Sequence, residues 1–180
     1  NTGNFSNANF GGYSRQVSIP HPHLQKSYIQ NLWHARNKFS QFQITIEATH
    51  HGPTALKKPT LFIEIGTTEK EWNDVNLCNS VAQIIVNEME KIPKFNPVAI
   101  CFGGTHYPEK FTNELIHGEY SLGTVIPKHA LEQIDQSLFS HIIERNKGAT
   151  AALLDWNSMG KNKQKILEML QETELEVIRL

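Results

Sequence analysis

The run Val98-Ala99-Ile100-Cys101-Phe102, breaking into Gly103-Gly104-Thr105-His106-Tyr107, constrains this chain more than any other feature. Five apolar residues without alternation read as a strand buried on both faces. The glycine pair directly after it reads as a tight turn at that strand's carboxyl end. Strands of this kind belong to open parallel sheets covered by helices on both sides. The rest of the chain agrees with that frame. Residues 43–48 alternate, with Ile44 and Ile46 on one face, and residues 61–65 form a second strand-like run with a charge near its carboxyl end. Residues 119–125, 149–154 and 175–178 are further strand candidates. Helices are expected from Pro20 and Pro22 to about residue 37, and from an N-cap at Thr67 or Thr68, through Val75, Val81 and Ile85, to Ile92. Two more are expected over residues 128–146 and 161–172. Strands alternating with helices predict an α/β fold: a mostly parallel sheet flanked by helices on both faces, in a single domain over residues 1–180.

Composition narrows the function classes. Seventeen Lys and Arg against eighteen Asp and Glu leave a net charge of -1, which excludes a generally basic nucleic-acid coat but not a local cationic patch. Cys78 and Cys101 lie in apolar runs and cannot frame a disulfide scaffold, so reduced thiols and a cytoplasmic location are expected. No stretch is apolar enough to span a membrane. Residues 1–18 mix Asn, Gly and Ser with Phe5, Phe10 and Tyr13, which predicts an ordered loop turning at Gly11-Gly12. The opening Asn1-Thr2-Gly3-Asn4 has no Met and reads as the middle of something, so an N-terminally incomplete chain is expected.

Polar residues gather at three strand ends: 47–51, Glu64 and 103–107. In doubly wound sheets, ligands bind outside the carboxyl ends of strands. His50, His51 and His106 can supply imidazole nitrogen to zinc, with Glu47 or Glu64 as a carboxylate, although the spacing matches no compact zinc signature. The bland reading has one histidine bonded to backbone in a turn and the other solvated. Glu64, in an otherwise apolar strand, is either a general base or the ion-pair partner of a lysine such as Lys57. Backbone N–H groups at Gly103 and Gly104 can cradle an oxyanion, or simply make the turn. Lys161, Lys163 and Lys165 form a basic stretch after Gly160, and Asp155 reads as a turn cap. His21, His23, His34, His117, His129 and His141 are read as ordinary.

Several blocks carry a resemblance. Thr49-His50-His51-Gly52-Pro53-Thr54, the run Phe62 to Trp72, and Phe102-Gly103-Gly104-Thr105-His106-Tyr107 are similar to the archaeal and plant type of D-aminoacyl-tRNA deacylase. So are Thr2-Gly3-Asn4-Phe5 and Asn9-Phe10-Gly11-Gly12, and order and spacing agree over nearly the whole chain. Thr2, Thr67 and Thr105 replace a proline, a serine and a glycine usual in that family, without removing a candidate ligand. The family carries an upstream segment with a Ser-Lys-His-type motif that this sequence does not contain. The resemblance implies a fold related to peptidyl-tRNA hydrolases and nucleoside phosphorylases, zinc as cofactor, and hydrolysis of the ester joining a D-amino acid to the 3′ end of tRNA.

Joined to the residue reading, this gives a set of expectations. His50, His51 and His106 hold zinc; Glu64 and His51 handle protons; Gly103 and Gly104 receive the oxyanion. Asn4, Lys57, Lys58, Tyr107, Lys161 and Lys163 contact the substrate and the acceptor end of its tRNA, and the protein is a monomer. Two other readings remain open: a metal-free hydrolase of peptidyl-tRNA hydrolase or phosphorylase type, and a non-catalytic RNA-binding domain.

Overall fold

The structure, a computed structural model, describes residues 1–89 and 96–180. Its centre is a four-stranded parallel sheet in the order β4-β3-β5-β6, made of β3 (Val98–Phe102), β4 (Ser121–Ile126), β5 (Ala149–Leu154) and β6 (Glu176–Arg179). Successive side chains of a strand point to opposite faces, and the core divides accordingly. Ile100, Phe102, Ala152 and Leu154 face one cluster, with Leu138, Ile142, Ile166 and Leu170 of α5 (Gln136–Arg145) and α6 (Lys163–Gln171). Ala99, Cys101, Ala151 and Leu153 face the other, with Ile29 of α1 (Pro22–His34) and Phe111 and Leu115 of α4 (Glu109–His117). Helices therefore cover both faces, as the unbroken apolar run of β3 requires.

Two local devices shape the sheet on the side of the site. Between Ala99 and Cys101 the pairing with β4 slips by one residue. Asn146 holds the slip: its Oδ1 accepts from Thr124 N–H at 2.9 Å and its Nδ2 donates to Thr124 Oγ1 at 2.8 Å. A Cβ at Gly123 would meet that Oδ1 at 2.1 Å, so glycine is required there. Just before β4, the ammonium of buried Lys26 donates to the carbonyls of Gly118 and Tyr120 at 2.7 and 2.8 Å, which closes the C-terminal end of α4.

Several expectations need correction. Residues 43–48 and 61–65 belong to no ladder among the described residues. The alternation was correctly one-sided, since Ile44 and Ile46 join the second core cluster. Their backbone partners, however, are loops and side chains: Ile46 N–H donates to Thr112 Oγ1 and Ala48 N–H to the His106 carbonyl. The helix expected from Thr68 onward is two: α2 (Glu69–Trp72), capped by Glu71 accepting from Thr68 N–H, and α3 (Val75–Met89). Asp74 Oδ1 accepts from the N–H groups of Asn76 and Leu77, starting α3 afresh, and Ile92 lies outside the described residues. In the same way Asp135 accepts from Leu138 N–H, splitting residues 128–146 into a 3-10 turn and α5. The sequence reading missed α4, whose Phe111 and Leu115 lie four apart behind Pro108. It also missed the pair of short antiparallel strands β1 (Gly3–Asn4) and β2 (Gln16–Val17) inside the ordered N-terminal loop. Cys101 is fully buried and Cys78 only half-buried; the two are unpaired.

Candidate metal centre

The site is built where an irregular segment is pinned to the free edge of the sheet. Among the described residues β4 is an edge strand, so one side of its backbone has no neighbouring strand. Thr49 supplies both partners for Val125: its N–H donates to the Val125 carbonyl at 2.9 Å, and its Oγ1 accepts from Val125 N–H at 3.0 Å. On its other side the segment meets the N-terminal loop, where Gly3 N–H donates to the His50 carbonyl. Ala48 N–H donates to the carbonyl of His106, which follows the glycine turn after β3. These bonds bring residues 47–51 against residue 106 across the carboxyl end of the sheet.

Glu47, His50 and His106 converge there, each offering one ligand atom within 4.8 Å of the others. Glu47 Oε2 lies 3.5 Å from His50 Nε2, and its Oε1 lies 3.7 Å from His106 Nε2. Tetrahedral zinc with ligand bonds of about 2.0–2.1 Å sets its donors about 3.4 Å apart. His50 Nδ1 is 2.8 Å from the Ala48 carbonyl. That hydrogen bond fixes the proton on Nδ1 and leaves the Nε2 lone pair for a metal. Two imidazoles and a carboxylate with an orienting carbonyl behind one ring fit zinc in both spacing and donor chemistry. Burial, helped by the charges of His51 and His106, holds the His50 imidazole below its ordinary pKa, while the Ala48 and Glu47 contacts pull the other way.

Of the expected trio, His50 and His106 fall within this group and His51 stands next to it. The ring of His51 stands beside that of His50, with centroids 4.3 Å apart, but its Nε2 is 3.9 Å from Glu64 Oε1. His51 is held at a φ of 43°, a left-handed conformation that costs a residue with a Cβ of order 1 kcal/mol. Glu47, one of the two carboxylates the sequence offered, completes the group with His50 and His106. Tyr107 packs against His106 with centroids 4.9 Å apart, and the adjacent Glu47 carboxylate raises its phenol above the ordinary value, first by hydrogen bonding. Glu47, His50, His51, Glu64 and Tyr107 all line one cavity of about 890 Å³. Its lining also includes the apolar Ile29, Ile44 and Ile63, and Tyr28, whose buried hydroxyl has no partner among the described residues.

Other expected site residues are placed elsewhere or are already engaged. Gly103 N–H donates to the Ile126 carbonyl at 2.8 Å and Gly104 N–H to Ser158 Oγ at 2.7 Å, so neither amide is free for an oxyanion. Both glycines have positive φ, and a Cβ at Gly103 would meet Ser158 Oγ at 2.5 Å; the pair makes the turn. Asn4 is buried, and its side-chain amide donates to the carbonyls of Gly11 and Tyr13, closing the N-terminal loop rather than facing a substrate. Lys57 and Lys58 are exposed. Lys161 is 2.8 Å from Glu132, while Lys163 lies over the Trp156 ring.

The family model described as D-aminoacyl-tRNA deacylase matches residues 1–178. A D-aminoacyl-tRNA deacylase of Cenarchaeum symbiosum is 55% identical over 177 residues, covering 98% of this chain and 69% of that protein. One of Methanosarcina mazei is 36% identical over 182 residues, covering 99% of this chain and 60% of that protein. The crystal structure of a conserved protein of unknown function superposes with a TM-score of 0.93 at 28% identity, covering 99% of this chain and 63% of that one. This chain thus spans 60–69% of the length of these three proteins. On the family model and the 55% identity, the chain belongs to the D-aminoacyl-tRNA deacylase family.

Proposed function

We propose that this chain carries the metal centre of a hydrolase that cleaves the ester between a D-amino acid and the 3′ end of tRNA. The observation that carries this reading is the convergence of Glu47, His50 and His106, in a chain of this family, beside a cavity that Glu47 and His50 line and that is large enough for an aminoacyl group. Zinc, when bound, supplies a Lewis acid that polarises the ester carbonyl and lowers the pKa of water beside it toward about 7. Glu47 and the two imidazoles would hold it, with the His50 ring oriented by Ala48. Glu64 and His51, which line the same cavity, would act as a proton-handling pair. In the hydrolysis, water oxygen bonds to the carbonyl carbon and the carbon–oxygen bond to ribose breaks. The water's proton passes through Glu64 or His51 to the departing ribose oxygen. A wall that fits the D side chain and clashes with the L side chain would give the chirality. Lys57, Lys58, Lys161 and Lys163 would meet the acceptor end of the tRNA. Free cysteines support a reducing compartment, so a cytoplasmic location is part of this reading.

The test is release of a D-amino acid from charged tRNA, with the L-charged tRNA as control, alongside metal analysis of the purified protein. His50→Ala, His106→Ala and Glu47→Gln are expected to lose bound zinc and at least a hundredfold in turnover. Full turnover in all three would end the proposal. A metal-free hydrolase working through His51 and Glu64 is favoured by one observation, their 3.9 Å approach. Wild-type turnover unaffected by a chelator would select it.

A further inference from the structure

Beyond the metal centre, the carboxyl edge of the sheet carries a second group of side chains. Trp156 follows the end of β5, half-buried and packed against the first core cluster. The guanidinium of Arg179, at the end of β6, lies 4.0 Å from the centroid of its ring, and the ammonium of Lys163, at the start of α6, lies 4.8 Å from it. Among the described residues neither cation has a carboxylate partner. The acid beside them, Asp155, is held by Lys110 at 2.9 Å. Contact with an aromatic ring fixes a cation without neutralising it, so charge and N–H donors stay available.

Register places this group at the same carboxyl edge of the sheet as the metal centre, at the β6 end of the strand order. Phe102 pairs with Leu154 and Leu154 with Arg179, all in parallel. Arg179 thus shares the first cluster's face with Phe102 and Leu154, whereas the cavity is lined from the second, and three inter-strand spacings, about 15 Å, separate it from the β4 edge to which residues 47–51 are pinned. A guanidinium laid flat on an indole offers its other face to a base and its edge to phosphate. This is chemistry for a single-stranded nucleic acid end, and an acidic peptide would make no use of the stacked plane.

We infer that Arg179 and Lys163, positioned by Trp156, form a docking surface for the single-stranded 3′ end of the RNA, along which it reaches the imidazole group. The inference rests on the tRNA reading above and names residues that reading does not use, Trp156 and Arg179. Trp156 is a positioning residue, and the two cations touch the RNA.

The experiment measures binding of an uncharged RNA hairpin with a single-stranded ACCA end by the whole chain, across a series of salt concentrations. Arg179→Ala is expected to weaken binding roughly tenfold. It should also reduce the slope of log K against log salt by about 0.7. Arg179→Lys keeps the charge, so it should preserve the slope while losing affinity. Trp156→Phe should bind close to wild type and Trp156→Leu should lose affinity. Arg36 is the control: it is stacked in the same way on Trp33, beside His117 at the far end of α4, and Arg36→Ala should bind as wild type does. Unchanged binding and slope in Arg179→Ala would overturn the surface, as would an equal loss in Arg36→Ala. The deacylase reading fails separately. Arg179-dependent binding with no release of a D-amino acid keeps the surface and removes the enzyme; release without Arg179 dependence does the opposite.

Discussion

At His50, a hydrogen bond on one side of the ring decides what the other side can do. With the Nδ1 proton given to the Ala48 carbonyl, Nε2 is a bare lone pair turned to Glu47. Tyr28 is the opposite case, a hydroxyl without a use inside the described structure. Burial pushes its phenol up to about 12. Removing a buried hydroxyl that has no partner lifts a desolvation cost of about 1–3 kcal/mol. Tyr28→Phe is therefore expected to be neutral or stabilising, with chemical denaturation as the measurement; a loss of 2 kcal/mol or more would show that the hydroxyl has a partner. His23 gives a pH dependence. Burial, and then the charge of His21, holds its imidazole below the ordinary 6.5. Between the folded value and 6.5 the unfolded chain takes up a proton that the folded chain does not. Stability therefore rises with pH in that window and falls as pH drops below about 6.5. Denaturation midpoints of metal-free protein from pH 7.5 to 5 should fall, and His23→Gln should flatten the slope. An identical slope in the variant would assign the dependence to other groups.

Among the elements, the segment carrying Glu47 to His51 is held by Thr49 rather than by a ladder of its own. Thr49 is 1% exposed, and its hydroxyl oxygen accepts from Val125 N–H while its hydrogen goes to Asn1 Oδ1 at 2.6 Å. Thr49→Val keeps the shape and orphans both groups. It is expected to cost about 1–3 kcal/mol and to weaken metal binding, because the ligands at 47 and 50 flank the released residue. Calorimetric titration with zinc against a thermal-unfolding measurement checks both effects. An unfolding midpoint equal to wild type would mean the clamp contributes nothing.

Across the whole molecule, the candidate ligands come from two places: a segment beside β4 and the turn after β3. A metal held by both ties the N-terminal third of the chain to the sheet. Zinc that binds only the folded state stabilises it by about 2.7 kcal/mol at a hundred times its Kd. Saturating zinc is expected to raise the unfolding temperature of the wild type by several degrees and to leave His106→Ala unmoved. A rise of the same size in that variant would place the metal elsewhere. No helix among the described residues is long and apolar enough to cross a membrane.

The sequence by itself determined the sheet class, because a strand as apolar as β3 is stable only when both faces are covered. It also marked the carboxyl edge as the place where candidate ligands gather, through His50, His106 and Glu64. The helix breaks at Asp74 and Asp135 were present as N-cap residues but were masked by apolar periodicity running across them. Which acid joins the imidazoles was beyond its reach. Glu47 and Glu64 are equally acidic in one dimension, and the hydrogen bonds of Thr49 and Ala48 to the β4 edge and the β3 turn bring the first to His50 and His106. The glycine pair shows the same limit. Its conformation was readable from residue type, whereas the partners that occupy its amides, Ile126 and Ser158, lie 23 and 54 residues further along the chain and meet it only through folding.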